Sequence, residues 1–256
     1  MDNLKIGIIG GSGMEDPKFI SNFKTKDSPT IFGPPSSQLV IGHLQDVPIV
    51  VLSRHGINHS INPSNINYRA NISSLKDEGC THILAVTACG SLREKIKPGH
   101  FVFPDQFIDR TIKRVNTFFD KSEVVHTAMG NPFSTDLRNC LIDSCRLLKF
   151  DYHNGGTVVT IEGPRFSTKA ESIMFRSWGC DIINMSTVPE IILARELDIQ
   201  YQSIAMSTDY DCWRDNHEEV TMEMIYDVMS NNVNNVKKLI ENVIPLIKKR
   251  YQEKSK

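Results

Sequence analysis

An α/β fold on a mixed sheet is what this sequence predicts, and two observations carry the prediction. Short apolar runs alternate with amphipathic stretches, and an early pair of runs is joined by a hairpin connection. Strand-like runs fall at Ile6–Ile9, Gln38–Ile41, Pro48–Leu52, His82–Ala88, Phe101–Phe103, Thr157–Ile161, Asp181–Asn184 and Tyr201–Met206. "GHLQDVP" links the second to the third as a hairpin, which makes the sheet mixed.

Helical patterns fill the intervals. Ser64 is a candidate cap for a helix running to Glu78 and stopped by Gly79. Ser134 caps a second, with Leu137, Leu141, Cys145 and Leu148 on one stripe. Further helices are expected over 168–177, 188–197 and 221–249, the last striped by Ile225, Val228, Asn232, Val236, Leu239 and Val243. No repeat or linker divides the chain, so a single domain over residues 1–256 is expected. The segment 104–133, long and rich in prolines, aromatics and charges, suggests a functional or subunit-contact role.

The bulk composition excludes several classes. With 29 Lys and Arg against 30 Asp and Glu, the net charge is −1, which leaves no field to recruit nucleic acid. No apolar run approaches the roughly 18–20 residues of a membrane span, and the N-terminal residues lack a signal-peptide pattern. A cytoplasmic protein with no membrane partner is expected. The six cysteines include no C-x-x-C and read as small buried hydrophobes in a reducing compartment. His55 and His59 stand four apart in "HGINH" but lack the neighbouring Glu of a zinc-protease helix, so no metal is expected.

"GIIGGSG" (7–13) resembles a dinucleotide loop. Counting from Gly11, however, the third glycine of the fingerprint is replaced by Asp16. What remains is a strand followed by glycines, suited either to a tight turn or to a single anion with Ser12 as hydroxyl donor. Other strand ends add donors of the same kind. "LSRHG" offers Arg54, a fork for phosphate or carboxylate, and His55 as a further donor. "VTACGS" offers Thr87, and "INMST" offers Ser186 and Thr187 at a helix start. "MSTDYDCW" then presents Asp209 and Asp211. Such a pair suits metal coordination, acid–base work or recognition of a donor-rich ring, and equally a cap on the following helix.

Together "GIIGGSG", "SRHG", "NYRANI", "EGCTHI", "TACGSLRE", "PGHFV", "QFIDRT", "VTIEGPRFS", "DIINMSTVPE" and "STDYDCW" resemble, in order and over most of the chain, the purine nucleoside phosphorylase family. Within it they are most similar to the members that cleave methylthioadenosine. The resemblance implies a twisted mixed sheet flanked by helices, a homotrimer with sites near subunit interfaces, and no cofactor or metal. The implied reaction is phosphorolysis of 5′-methylthioadenosine to adenine and 5-methylthioribose 1-phosphate, with inorganic phosphate as co-substrate. It would serve purine salvage and methionine recycling. A broader purine nucleoside phosphorylase that also accepts adenosine or inosine is the alternative.

Carried over residue by residue, the resemblance places Ser12, Arg54, His55, Thr87, Ser186 and the N–H of Ala88 on phosphate. Ser12 and Ser186 stand where threonine is frequent in the family, with the hydroxyl retained. Met185 would lie beside the ribose. Phe166, Ser167 and Thr208 would line the base pocket. Asp209 would act as general acid at N7, and Asp211 would receive the exocyclic amine. His126 would be lent to the neighbouring subunit's 5′ pocket, whose apolar wall would include Met222 and Ile225. Family members that prefer 6-oxopurines typically carry asparagine at the Asp209 position and glutamate at the Ser167 position. This chain has neither, which favours adenine-type bases. A hydrolase on the same fold and a cysteine enzyme built around Cys89 are further rival readings.

Overall fold

The computed structural model describes residues 4–10, 20–121, 123–215 and 221–254. Its elements begin with β1 (Ile6–Gly10), β2 (Ser21–Lys26), β3 (Leu39–Leu44), β4 (Val47–Ser53), α1 (Tyr68–Asp77) and β5 (His82–Ser91). The middle of the chain supplies β6 (Phe101–Phe103), β7 (Gln106–Arg110), α2 (Thr135–Leu148), β8 (Tyr152–Asn154), β9 (Thr157–Ile161) and α3 (Lys169–Ser177). It closes with β10 (Ile182–Asn184), α4 (Thr187–Glu196), β11 (Gln200–Asp209) and α5 (Met222–Lys254).

The strands form one mixed sheet in the order β2-β3-β4-β1-β5-β10-β9-β7, with β11 and then β6 and β8 branching from β5. β1 is wholly buried and parallel to both β4 and β5, which explains its unbroken apolar run. β3 and β4 form the expected hairpin, paired from Leu44 and Val47 outward. Gln45 and Asp46 at its tip both have positive φ, the twist of a tight two-residue turn. One apolar layer packs α2 and α5 on the sheet through Leu137, Leu141, Val236, Leu239 and Val243. The opposite layer packs Ile72 and Leu75 of α1 and Ile191 and Leu193 of α4. No described helix is long and apolar enough to cross a membrane.

Local chemistry sets the helix ends. Ser134 caps α2 as expected, and Thr168 with Glu171 forms a capping box on α3. α1, by contrast, starts later than the serine suggested. Asn67 is its cap and accepts from the Ala70 N–H, whereas Ser64 sits in a short 3-10 turn and donates to Glu162 O. An asparagine three residues downstream competes successfully with Ser64 because Pro63 fixes the chain into that turn. β2, β7 and β8 were not expected. β2 is exposed throughout, whereas β7 is half-buried over Phe107–Asp109 and exposed at its ends; both are sheet edges.

Candidate active site

β5 changes partners along its length, and that change opens the site. Its first half runs beside β1, which ends at Gly10; its last two residues pair antiparallel with β10. β11 follows its other edge throughout. The carboxyl ends of β4, β5 and β11 therefore converge beside β10, the position where open α/β sheets bind ligands. A cavity of about 150 Å³ lies there.

Arg54, His55, Thr87, Ala88, Met185, Ser186, Phe166, Ser167, Thr208, Asp209, Asp211 and Ile225 all line this one cavity. His126 does not; it is exposed on the long segment before α2. Ser12 lies outside the described residues, as does the side chain of Met222. The lining also includes Cys89, the centre of the rival cysteine-enzyme reading, and His59, weighed only as a metal ligand, together with Pro63, Gly90, Ile161, Ile183, Asn184 and Met229, which the sequence did not single out. Most carry ordinary core signatures, so only their neighbours in sequence pointed to them.

At one end are anion donors. Arg54 follows β4, and its N–H bonds Gly10 O at 2.9 Å, tying the two strand ends together. Its guanidinium is only 2% exposed and its fork is already taken: Nε and Nη2 donate to Glu190 Oε1 and Oε2 at 2.5 and 3.1 Å. Nη1 donates to Val86 O at 2.8 Å. The fork read from the sequence thus grips a carboxylate, and one N–H each on Nη1 and Nη2 remains for an anion. Burial opposes the charge on Arg54, but Glu190 more than offsets it and the net shift is upward. Glu190 itself is a charged residue amid the apolar run of α4. A buried charge demands a partner, and that was the signal available in the sequence.

His55 also departs from the expectation of an extra donor. Burial, reinforced by the charge on Arg54, pushes its pKa down to about 3. Nδ1 lies 2.9 Å from Ile61 O, so it carries the single proton of the neutral ring. Nε2 is left as an acceptor. The ring stacks on His59 at 4.0 Å between centroids. The Thr87 and Ser186 hydroxyls meet at 2.7 Å across the cavity floor. Ser186 begins α4 without using its side chain as a cap, which leaves that hydroxyl for the cavity. Arg114 was missed altogether. Buried beneath the site, it donates to Met185 O and Val188 O at 2.7 and 2.6 Å and to Glu162 O at 2.8 Å, holding the Met185–Ser186 loop in place.

At the other end are the carboxylates. A register shift between Ser207 and Asp209 bulges β11, so consecutive side chains Thr208 and Asp209 both line the cavity. Asp209 Oδ2 accepts from Thr208 Oγ1, and Oδ1 from the Asp211 N–H, both at 2.7 Å. Burial raises the pKa of Asp209 despite these bonds, and burial likewise raises that of Asp211. The Ser167 and Ser172 hydroxyls face Asp211. Neither is aligned to satisfy Oδ2, which has no hydrogen-bond partner among the described residues. An unsatisfied buried carboxylate oxygen costs free energy until a ligand N–H reaches it. Cys89, between the two ends, is buried, and burial pushes its thiol pKa well up. That opposes the thiolate a nucleophile needs.

Buried guanidinium and hydroxyl donors thus stand across one small cavity from two carboxylates. Residues 5–245 match the family model of the phosphorylase superfamily, and the chain belongs to that family. Among its relatives are S-methyl-5′-thioadenosine phosphorylases. That of Xenopus tropicalis is 52% identical over 250 residues, covering 95% of this chain and 89% of its own. That of Danio rerio is 49% identical over 250 residues, with 96% and 89% covered. The structure of methylthioadenosine phosphorylase from Schistosoma mansoni in complex with adenine superposes with a TM-score of 0.92 at 43% identity, covering 95% of this chain and 92% of that one. A mutant of the adenosine/methylthioadenosine phosphorylase of the same organism, in complex with methylthioadenosine, gives 0.91 at 42%, covering 95% and 91%.

Proposed function

We propose that this chain is a single-domain phosphorylase converting 5′-methylthioadenosine and inorganic phosphate to adenine and 5-methylthioribose 1-phosphate. The observation that carries the reading is one cavity in which Arg54, Thr87 and Ser186 face Asp209 and Asp211. Phosphate would sit against the two remaining Arg54 N–H groups, the Thr87 and Ser186 hydroxyls, the Ala88 N–H and Ser12. His55 Nε2 would accept from a protonated phosphate oxygen or a ribose hydroxyl, because as an acceptor it cannot meet a bare oxyanion. Met185 would lie under the ribose, with Phe166 on the purine.

Phosphate attacks the anomeric carbon as the glycosidic bond breaks, and electron density moves into the base. Asp209, kept protonable by burial, would donate to N7. Asp211 would accept the exocyclic N–H at its unsatisfied Oδ2. Phosphate is both nucleophile and a negative charge beside the oxocarbenium-like sugar, so positioning and electrostatics supply most of the rate. No cofactor enters this scheme. Ile225 and Met222 would face the methylthio group. The exposed His126 suits donation to a neighbouring subunit's 5′ pocket in a trimer.

The adenosine/methylthioadenosine phosphorylase among the similar structures supports adenosine as a second substrate. The test supplies methylthioadenosine, adenosine and inosine in turn, with phosphate, and measures the released base. Adenine from the first two and little hypoxanthine from inosine is the expected result. Equal release of hypoxanthine would refute the roles given to Asp209 and Asp211.

A further inference from the structure

Glu190 lies outside the cavity lining, is fully buried, and among the described residues reaches the cavity through Arg54. Its two oxygens take Nε and Nη2 of Arg54, and Oε2 also accepts from Tyr201 Oη at 2.9 Å. Val86 O takes a third donor from Nη1. These contacts draw on α4, β11 and β5, so the plane of the guanidinium is fixed from three elements at once. The Arg54–Glu190 pair is neutral overall. Its hold on an anion therefore depends on where the last two N–H groups point rather than on an unopposed positive charge.

We infer that Glu190, braced by Tyr201, is a positioning residue that aims the remaining N–H groups of Arg54 at the phosphate subsite and so sets the affinity for phosphate without touching the nucleoside. The inference rests on the phosphorolysis reading. Two variants separate position from charge. E190D keeps the carboxylate but withdraws it by one methylene. Y201F keeps both charges and removes one brace, while its ring stays packed beside Phe133 at 6.2 Å between centroids.

Steady-state rates are measured with phosphate varied at saturating methylthioadenosine, and then the reverse. The expected result in E190D is a KM for phosphate raised about tenfold, the scale of one misaligned charge-assisted hydrogen bond. Y201F should raise it severalfold, and the KM for the nucleoside should stay within about twofold in both. If E190D does not fold, because disturbing a buried ion pair is costly, Y201F alone decides. An unchanged KM for phosphate, or equal rises in both KM values, overturns the inference. Wild-type base release that needs no phosphate refutes the phosphorolysis reading itself; phosphate-dependent wild type with unaltered variants refutes only the role of Glu190.

Discussion

Asp209 and Asp211 share a loop and a low-dielectric setting, yet their oxygens are treated differently. Both Asp209 oxygens accept bonds at 2.7 Å, from Thr208 and from the Asp211 backbone. Asp211 Oδ2 is left without one among the described residues. Burial pushes both pKa values upward, so each carboxyl holds its proton to higher pH than an exposed one. A general acid at Asp209 therefore loses its proton, and its function, as pH rises through that raised value. In a pH–rate profile the wild type should show an alkaline fall in base release, and D209N should lack it. D209N should also lower kcat for methylthioadenosine by about 10²–10⁴, the usual worth of a positioned acid. Its loss on inosine should be smaller, because an amide can donate to a 6-oxo group. Equal losses on both nucleosides would count against the assignment.

Two adjoining strands, β5 and β11, bring Thr87, Ala88, Thr208 and Asp209 to the cavity. Gly90 stands opposite Asp209 in the β5–β11 register, and a Cβ there would come within 3.0 Å of Asp209 Oδ1 and of Ile183 Cγ2. Gly90→Ala should therefore cost about 1–3 kcal/mol of stability by overpacking and depress turnover by displacing the carboxylate. Thermal melts and kcat measured together check this; a variant with wild-type turnover would show the contact to be easily relieved. Strands of this kind were legible in the sequence because central parallel strands are apolar on both faces, as in β1. β2 and β7 were not, since an edge strand needs no apolar run. The later start of α1 reflects competition between two polar residues for one cap. The lining residues that follow strands were recognisable from hydroxyls and cations at strand ends. Arg114 was not, because it acts through partners dozens of residues away; Glu190 left one mark, a lone charge in the apolar run of α4.

At the scale of the molecule, the sheet explains why phosphate and nucleoside can be held separately and close together. β5 exchanges β1 for β10 while β11 stays on its other edge, so four chain segments end around one cavity. Arg54 and the Thr87–Ser186 hydroxyl pair gather on one side; the bulged end of β11 brings both carboxylates to the other. β1 itself ends at Gly10, whose O accepts from the Arg54 N–H. Separate binding of anion and nucleoside makes turnover require both ligands at once. It is tested most directly by incubating the wild type and R54A with methylthioadenosine, with and without inorganic phosphate, and measuring adenine together with 5-methylthioribose 1-phosphate. Equal amounts of the two products are expected from the wild type, only when phosphate is present, with a collapse of both in R54A. Adenine released without phosphate, accompanied by free methylthioribose, would contradict it.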